Sequence, residues 1–405
     1  MKSLIGPFSQ ILTLDQLSLK GLIKDEDLDI RKNVGIIEEG GVIMDVVPFS
    51  KSGSYDRIEE IESECVLLPG LVDSHTHMCW GGNRAADYSL RISGATYQDI
   101  LKRGGGIHES VRKTREASKE ELTKGLKARM DRHLNEGVTT VEIKSGYGLS
   151  VNDEIKMLEV IQGQAQQRST DIISTCLGAH VRPAEFETNQ DYLEYLVREL
   201  LPEVKRKGLA KRVDIFVEDG AFGLNESKWY LEEAKKLGFE LTVHADQFSP
   251  GGTQLAVDLN ALSADHLENS DDKEIKCLAQ SNTVGTVLPG ASLGLGMKYA
   301  PVRKLLDAGV CVAIASDWNP GSAPMGDLLI QAALLGASEK LSTAETFAGL
   351  TFRAAQALGL SDRGMIKAGK VADFIAFETD DYREILWHQG KMKPSSVWKN
   401  GKRVK

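Results

Sequence analysis

The stretch Pro69-Gly-Leu-Val-Asp-Ser-His-Thr-His77 predicts a turn followed by a short buried strand, and the rest of the chain is organised around it. Side chains alternate between the two faces of a strand, so Asp73, His75 and His77 are predicted to share one face. Two imidazole rings placed two residues apart on one face can chelate one metal ion. A His-x-His pair is a weak signal alone, and it needs support from other parts of the chain.

Later stretches also predict strands, and polar residues end several of them. The predicted strands are residues 70–77, 138–144, 172–180, 213–219, 240–245, 259–266, 283–289 and 311–317. The segments between them carry helix signals, such as the capping box Ser118-x-x-Glu121. This alternation predicts an α/β fold, a (β/α)8 TIM-like barrel, whose active site lies at the carboxyl ends of the strands. The polar residues at these predicted ends are His180, His244, His266 and Asp317.

The two ends of the chain predict a second, smaller domain. Residues 1–66 have the pattern of short strands with a hairpin at Gly40-Gly41, and residues 356–405 are similar, with a hairpin signal at Asn400-Gly401. Because these ends flank the β/α body, we expect them to pair into one composite small β-sandwich domain. Residues 67–355 then form the barrel domain.

Composition and charge exclude several classes of protein. The chain has 405 residues, 41% hydrophobic and 26% charged, as is usual for a soluble globular protein. The net charge of -9 argues against nucleic acid as a partner. No apolar run approaches a membrane span and no signal peptide pattern is visible, so we expect a cytoplasmic protein without membrane contact. The five scattered cysteines are predicted to be reduced thiols; Cys79 is predicted to be a small buried hydrophobe, with a soft metal ligand as the alternative.

Two residues at predicted strand ends can complete a metal site with the histidine pair. His244 would add a third imidazole to His75 and His77; the alternative is a core histidine bonded to backbone. Asp317 also follows an apolar strand, where an aspartate is costly to bury unless it is paired or bound to a metal. Its carboxylate suits a fourth position on zinc or iron(II) and can accept a proton from water. The alternative for Asp317 is a helix N-cap.

His266 and the fourth predicted strand indicate how such a site would be built. His266 is predicted to lie beside the metal and to hydrogen-bond water or a substrate carbonyl, with a structural histidine as the alternative. The strand at residues 213–219 carries no lysine that could bridge two metal ions. This favours a single ion, although Glu218 could reach the site.

The strand ends and the motifs between them resemble the amidohydrolase superfamily and, within it, the imidazolonepropionase family. The resemblance runs from about Pro69 to beyond Ala355. The motifs that carry it are Gly82-Asn-Arg84, Gly104-Gly-Gly-Ile107, Lys144-Ser-Gly-Tyr-Gly-Leu149, Gly178-Ala-His180, His244-Ala-Asp-Gln247, Ser263-Ala-Asp-His-Leu267 and Asp317-Trp-Asn-Pro-Gly-Ser322. No single motif is specific, but the set in this order is.

The resemblance implies a hydrolase that opens the ring of 4-imidazolone-5-propanoate to N-formimidoyl-L-glutamate in histidine degradation. It implies one divalent metal ion, either Zn2+ or iron (Fe2+/Fe3+), and the ligands it implies are His75, His77, His244 and Asp317. Catalysis is assigned to Asp317 and His266, and the implied enzyme is a homodimer. The implied substrate contacts are Arg84, Tyr147, His180, Gln247, Asn319, Gly321 and Ser322. Without the resemblance, Arg84 also fits a surface salt bridge and Tyr147 a packing residue.

One position departs from part of that family. Residue 247 is Gln, where some relatives carry Glu, and an amide cannot act as a general base. Proton transfer is then left to Asp317, His266 and the substrate itself. The nearest alternative function is deamination of a nucleobase, which usually needs His-x-x-Glu on this strand. Opening of a hydantoin or dihydropyrimidine ring, and a barrel that only binds ligands, are the remaining alternatives.

Overall fold

The strands of the protein form two separate sheets. The computed structural model describes residues 1–95, 99, 103–166 and 170–405. In chain order the strands are β1 Lys2–Leu12, β2 Ile30–Glu39, β3 Val42–Pro48, β4 Arg57–Glu60, β5 Val66–Pro69, β6 Leu71–Asp73, β7 Val138–Lys144, β8 Asp171–Ala179, β9 Arg212–Ile215, β10 Glu240–Ala245, β11 Ser263–His266, β12 Val284–Val287, β13 Val312–Ile314, β14 Phe374–Phe377, β15 Ser396–Lys399 and β16 Lys402–Arg403.

The helices lie mainly between the strands β6 to β13. In chain order they are α1 Ala85–Ile92, α2 Ile107–Glu116, α3 Lys119–Asn135, α4 Val151–Ala165, α5 Asn189–Tyr195, α6 Leu201–Lys207, α7 Leu224–Lys236, α8 Gly252–Asp258, α9 Asp272–Ala279, α10 Pro289–Leu295, α11 Val302–Asp307, α12 Leu328–Glu339, α13 Thr343–Leu350, α14 Phe352–Ala357 and α15 Arg383–Trp387. A 3-10 turn covers Asp25–Asp27, and a π-helical turn, Leu196–Leu200, joins α5 to α6. Within the described part of the chain, no helix has the length and apolar character needed to cross a membrane.

Strands β6 to β13 form a parallel barrel in which each strand pairs with the next one in the chain. The segments that follow β6 and β13 close it. The amide of Asp317 donates to the carbonyl of His75, and the amide of His77 donates to the carbonyl of Trp318, each at 3.0 Å. The predicted barrel is confirmed, and its closure places the residues after β6 beside those after β13.

Both ends of the chain contribute to the second sheet, whose order is β16-β15-β14-β5-β1-β2-β3, with β4 beside β1. The antiparallel pair β5 and β14 joins the amino-terminal strands to the carboxyl-terminal ones. Phe8, Phe374 and Trp398 are fully buried in the core of this sheet. The composite small β domain is thus confirmed. Its boundaries stay a prediction, although β5 places the change from one sheet to the other at Gly70.

Local signals in the sequence agree with several element ends. The capping box is present, since Ser118 Oγ accepts from the Glu121 amide at 3.1 Å and Glu121 Oε2 accepts from the Ser118 amide at 2.8 Å. Gly40-Gly41 joins β2 to β3, and Asn400-Gly401 joins β15 to β16. Positive φ angles at these turn residues explain the glycines, which have no Cβ to clash.

Candidate metal centre and active site

Three imidazole nitrogens converge at the carboxyl end of the barrel. His75 and His77 follow β6, and His244 lies near the end of β10. Nε2 of His77 is 3.3 Å from Nε2 of His75 and 3.3 Å from Nε2 of His244, and all three side chains are buried. Among the described residues, these histidines form the group whose possible ligand atoms all lie within 4.8 Å of one another.

Carboxylates hold the second ring nitrogen of two of these histidines. His75 Nδ1 is 2.7 Å from Asp265 Oδ2, and His244 Nδ1 is 2.9 Å from Asp214 Oδ2. Because an ionised carboxylate only accepts, His75 Nδ1 donates to Asp265, and Nε2 of His75 keeps its lone pair for a metal ion. The contact between His244 and Asp214 is an ion-pair distance, and within the described part of the chain neither of its two atoms makes a hydrogen bond. Burial, reinforced by the charge of Lys144, holds the pKa of His75 well below its usual value, and burial also lowers the pKa of His244. Both rings are therefore neutral, as metal ligands must be.

Asp317 lies next to these histidines, in the segment that follows β13. Its Oδ1 lies 3.4 Å from Nε2 of His77 and 3.6 Å from Nε2 of His75. Its Oδ2 accepts a hydrogen bond from Asn319 Nδ2 at 3.0 Å. Burial raises the pKa of the Asp317 carboxyl to about 7. This group can therefore take up or release a proton near neutral pH.

Four of the six separations among these atoms are close to those of a tetrahedral metal site. In such a site, bonds of about 2.0–2.1 Å place neighbouring ligand atoms about 3.3–3.4 Å apart. The observed separations are 3.3, 3.3, 3.4 and 3.6 Å. The histidines can therefore hold a divalent metal ion. Asp317 lies close to two of them, outside the group of three whose ligand atoms all converge, and its role as a fourth ligand stays a prediction.

A buried lysine lies behind these ligands, and the sequence reasoning missed its role. Lys144 ends β7 with its side chain fully buried, and its Nζ is 2.8 Å from Asp214 Oδ2 and 3.8 Å from Asp265 Oδ2. It also donates to Glu142 Oε1 at 2.8 Å. Burial opposes the charge, but Asp214 and Glu142 outweigh it and raise the pKa of Lys144 above its usual value. A charged residue at the end of an apolar barrel strand was the signal that could have revealed it.

His266 lies beside the metal histidines. It ends β11, and the centre of its ring is 5.3 Å from that of His244 and 5.8 Å from that of His75. Burial opposes protonation of the ring, but the Glu268 carboxylate outweighs it and holds the pKa of His266 above its usual value. The ring is thus placed next to the ligand atoms, and its catalytic role stays a prediction.

Tyr147 and His180 form a wall next to His77. The His180 ring stacks on that of His77, with centres 5.2 Å apart and planes at 22°, and the Tyr147 ring is 5.5 Å from that of His180. His180 Nδ1 donates to the carbonyl of Gly146 at 3.0 Å, which leaves Nε2 as an acceptor. Burial, with the nearby His244, lowers the pKa of His180 to about 3. The ring is therefore neutral at physiological pH.

The loop that carries Tyr147 is held in place from α4. The buried Glu154 carboxylate accepts hydrogen bonds from the amides of Gly146, Gly148 and Leu149 at 3.0, 2.7 and 2.8 Å. One side chain thus satisfies three amides of this loop. Glu154 is a further residue that the sequence reasoning missed.

Arg84 and the turn at Asn319 lie against each other. A Cβ built on Gly321 would lie 2.9 Å from Arg84 Nη1, so the guanidinium covers this glycine. Nε of Arg84 donates to Asp87, a partner that the sequence reasoning missed. Oδ1 of Asn319 accepts from the amides of Gly321 and Ser322, both at 2.8 Å. The side chain of Asn319 therefore engages both of these amides.

Two residues near the histidine pair are placed differently from the ligands. The Asp73 carboxylate accepts hydrogen bonds from His133, on α3, and from Ser316. Its predicted shared face with the histidines is wrong because β6 ends at Asp73 and the alternation of a strand ends with it. Cys79 is fully buried, and burial raises the pKa of its thiol to about 12. A protonated thiol in this position suits the predicted small hydrophobe.

The loop after β10 carries Gln247 and is bound by Glu218, which follows β9. Gln247 is buried within this loop. Glu218 accepts hydrogen bonds from the amides of Phe248 and Ser249 at 2.8 and 3.2 Å. Glu218 therefore shapes the loop that carries Gln247, and the group of convergent ligand atoms among the described residues does not include it.

The barrel and the ligand cluster together define the class of protein. Residues 66–404 match the family model described as Amidohydrolase family, and the chain belongs to this family. A solved structure of zinc-bound atrazine chlorohydrolase from Arthrobacter aurescens has a TM-score of 0.75 and 17% identity, and the match covers 99% of this chain and 95% of that one. At this identity the likeness shows the fold alone.

Curated relatives narrow the family further. The chain is 40% identical to an imidazolonepropionase from Bdellovibrio bacteriovorus, over 100% of this chain and 97% of that protein. It is also 40% identical to an imidazolonepropionase from Bacillus cytotoxicus, over 98% of this chain and 95% of that protein. Within the amidohydrolases, the chain is thus a member of the imidazolonepropionase family.

Proposed function

We propose that this protein hydrolyses the ring of 4-imidazolone-5-propanoate to give N-formimidoyl-L-glutamate, a step of histidine degradation. Its full-length likeness to imidazolonepropionases supports this substrate. The observation that carries the proposal is the convergence of three buried, neutral imidazoles and one carboxylate at the carboxyl end of the barrel. A site of this kind suits metal-assisted attack of water on a carbonyl carbon.

One divalent ion, zinc or iron, is proposed to bind at His75, His77, His244 and Asp317. When bound, such an ion polarises a carbonyl and lowers the pKa of water toward neutrality. Nitrogen and carboxylate ligands accept both metals, so the donor set favours neither. The neutral state of the histidines and the close approach of Asp317 support this assignment.

Asp317 and His266 are the groups that we assign to proton transfer. The Asp317 carboxylate lies beside the nitrogens of His77 and His75 and can take a proton from the attacking water. In its protonated form, in which both ring nitrogens donate, His266 can donate a hydrogen bond to the carbonyl oxygen as negative charge develops on it. The carbon–nitrogen bond then breaks, the leaving ring nitrogen takes the proton, and a carboxylate and a formimidoyl group remain. Gln247, as an amide, contributes hydrogen bonds only.

Arg84 is proposed to bind the propanoate tail of the substrate. Its guanidinium is only 14% exposed and lies over Gly321, with Nε engaged by Asp87. The two remaining nitrogens can grip a carboxylate with paired hydrogen bonds. Tyr147, His180, Gln247, Asn319, Gly321 and Ser322 are proposed to complete the pocket around the ring.

The function is tested by comparing wild type with Arg84→Met on the acid substrate and on its neutral propanamide analogue. Loss of one partner of a buried charge pair costs ~2–5 kcal/mol, so kcat/KM for the acid should fall roughly 30-fold to a few thousand-fold. The preference for the acid should largely disappear. Arg112→Met is the matched control, because Arg112 is exposed on α2 and pairs with Glu109 and Glu116.

Two results of this assay would contradict the proposal in different ways. If Arg84→Met keeps the preference for the acid, another residue holds the carboxylate. If wild type does not hydrolyse the acid, the substrate is wrong. Release of ammonia from a panel of nucleobases would instead favour the deaminase alternative.

The remaining assignments concern partners and location. We infer that the protein acts on a small molecule, as a homodimer, in the cytoplasm. The net charge of -9 supports the exclusion of nucleic acid. The homodimer rests on the family resemblance.

A further inference from the structure

A strained turn brings a second acidic residue to His266. His266 and Leu267 have φ angles of 93° and 71°, a backbone region that residues with a Cβ seldom adopt. Consecutive strained residues of this kind persist only where the surrounding structure holds them, and they cluster at functional sites. In this turn the side chains of His266 and Glu268 face each other.

The contact between the two side chains is specific to one atom of each. His266 Nδ1 lies 3.5 Å from Glu268 Oε2. Both atoms are buried, and neither has a hydrogen-bond partner within the described part of the chain. The other carboxylate oxygen, Oε1, accepts a hydrogen bond from Ser292 Oγ, on α10, at 2.9 Å. Glu268 therefore has one oxygen anchored and one oxygen directed at the imidazole.

Burial makes it energetically unfavourable for this carboxylate to lack a partner. The Glu268 side chain is 1% exposed and the His266 side chain 4%. An unpaired carboxylate oxygen in such a place is unfavourable, and so is an unpaired ring nitrogen. The 3.5 Å separation is at the outer limit of a hydrogen bond, and contacts of this type commonly shorten when a site is loaded.

We propose that Glu268 is the positioning residue for His266. Its carboxylate accepts a hydrogen bond from the proton on Nδ1, so that Nε2 is the ring nitrogen available to the substrate. The proposal rests on the proposed ring hydrolysis for its catalytic consequence. A carboxylate that accepts a hydrogen bond from one ring nitrogen of a histidine fixes both the orientation and the tautomer of the ring. This matters here because Gln247 cannot exchange protons, so His266 has to present a defined nitrogen.

The tautomer can be measured directly. In zinc-loaded protein carrying 15N-labelled histidine, we expect the His266 ring to be protonated on Nδ1, as read from its two nitrogen shifts. The His266→Gln variant identifies the signals by their absence. A wild-type ring that is neutral and protonated on Nε2 would overturn the proposal, whatever any Glu268 variant does.

Three variants link this tautomer to turnover. Glu268→Met removes the acceptor at similar size, so Nδ1 should lose its proton preference and kcat should fall roughly 10–100-fold. KM should change by less than about threefold, since Glu268 does not touch the substrate. Glu268→Gln keeps an oxygen acceptor and should recover part of the loss. Glu274→Met, at another buried glutamate, on α9, is the control and should leave the His266 shifts and kcat unchanged.

The outcomes separate the two proposals. An Nδ1 shift and a kcat that both stay at the wild-type level in Glu268→Met would overturn the positioning role. If Glu268→Met does not fold, Glu268→Gln provides the test. The positioning role would be overturned if Glu268→Gln left the Nδ1 shift unchanged and lost as much kcat as His266→Gln. If wild type does not open the imidazolone ring but its His266 tautomer depends on Glu268, the proposed function fails and the positioning role stands.

Discussion

Lys144 connects the two carboxylates that orient the metal histidines. Its ammonium is 2.8 Å from Asp214 and 3.8 Å from Asp265, and it is fully buried. Removing it would leave like charges facing each other in a region of low dielectric constant. Asp214 and Asp265 would then move apart or take up protons, and either change loosens the contacts that hold His244 and His75.

We therefore predict that Lys144→Met weakens metal binding although Lys144 touches no metal. Wild type should contain about one divalent ion per chain, and the variant should bind zinc roughly 10–100-fold more weakly in a chelator competition. Lys235→Met is the control, because Lys235 donates to the carbonyl of Leu259 on the outside of the barrel. An unchanged zinc affinity in Lys144→Met would show that the carboxylates hold the histidines without it.

We predict that the stability of the protein depends on pH through the titration of His180. Its folded-state pKa is lowered to about 3, whereas the unfolded-state value is about 6.5. Below about pH 6.5 the ring takes up a proton in the unfolded chain but stays neutral in the folded protein. The free energy of unfolding therefore decreases as the pH falls. Compared with His180→Asn, wild type should lose up to about 1.4 kcal/mol between pH 7.5 and 5.5.

Urea unfolding of both metal-free proteins at pH 7.5, 6.5 and 5.5 measures this difference. The comparison between variants removes the contributions of other titrating groups, such as Asp317, which have the opposite sign. Parallel pH profiles for the two proteins would mean that His180 is protonated in the folded state.

At the scale of elements, α4 sets the shape of the loop that follows β7. Glu154 supplies the acceptor for three amides of this loop, and the carbonyl of Gly146 in turn accepts from His180. One helix thus positions both Tyr147 and His180. A short chain of hydrogen bonds links the packing of the outer helix layer to the wall of the site.

Replacement of Glu154 by Gln should loosen this loop. An amide has one acceptor oxygen, and its NH2 group would face backbone donors. Because hydrogen bonds to a charged group are each worth ~1.5–3 kcal/mol, we expect the unfolding free energy to fall by at least about 1.5 kcal/mol and KM to rise. Glu159→Gln, also on α4 but paired with Lys119 and Lys207 near the surface, is the control. Equal stability of the two variants in urea would contradict this role.

At the scale of the whole molecule, an ion network joins the small β domain to the barrel. Lys399, at the end of β15, is buried, and its Nζ lies 2.7 Å from Asp373 Oδ2 and 2.8 Å from Asp171 Oδ2. Asp171 begins β8, so the contact is at the amino-terminal face of the barrel. Arg363 donates to Asp171 and, at 2.8 Å, to Thr140 on β7. This face is opposite to the candidate active site.

Lys399→Met should therefore separate stability from activity. Breaking a buried ion pair by removing one partner typically costs ~3–5 kcal/mol, which urea unfolding would detect. Turnover by the folded variant should stay within about twofold of wild type, because the network lies at the far end of the barrel. Lys402→Met, at an exposed position on β16, is the control. A large loss of kcat in folded Lys399→Met would mean that the junction is coupled to the active site.

Local patterns in the sequence were sufficient to predict the strands and to select the candidate metal ligands. The predicted strands at 138–144 and 240–245 coincide with β7 and β10. His244 and Asp317 were selected because they end apolar runs, and the chain ends were recognised as strands by their hairpin turns. These features depend on residues close together in the sequence, whose spacing already expresses the period of a strand or helix.

Only the tertiary structure decided which partners these residues have. Asp265, which holds His75, is 190 positions away in the chain, and no local spacing links them. Asp73 turns away from the histidines because barrel closure ends β6 there, with the next residues bonded to the segment after β13. Lys144 and Glu154 acquire their contacts in the same way. Contacts across a barrel follow from strand order and register, whereas a sequence pattern reflects neighbours along the chain.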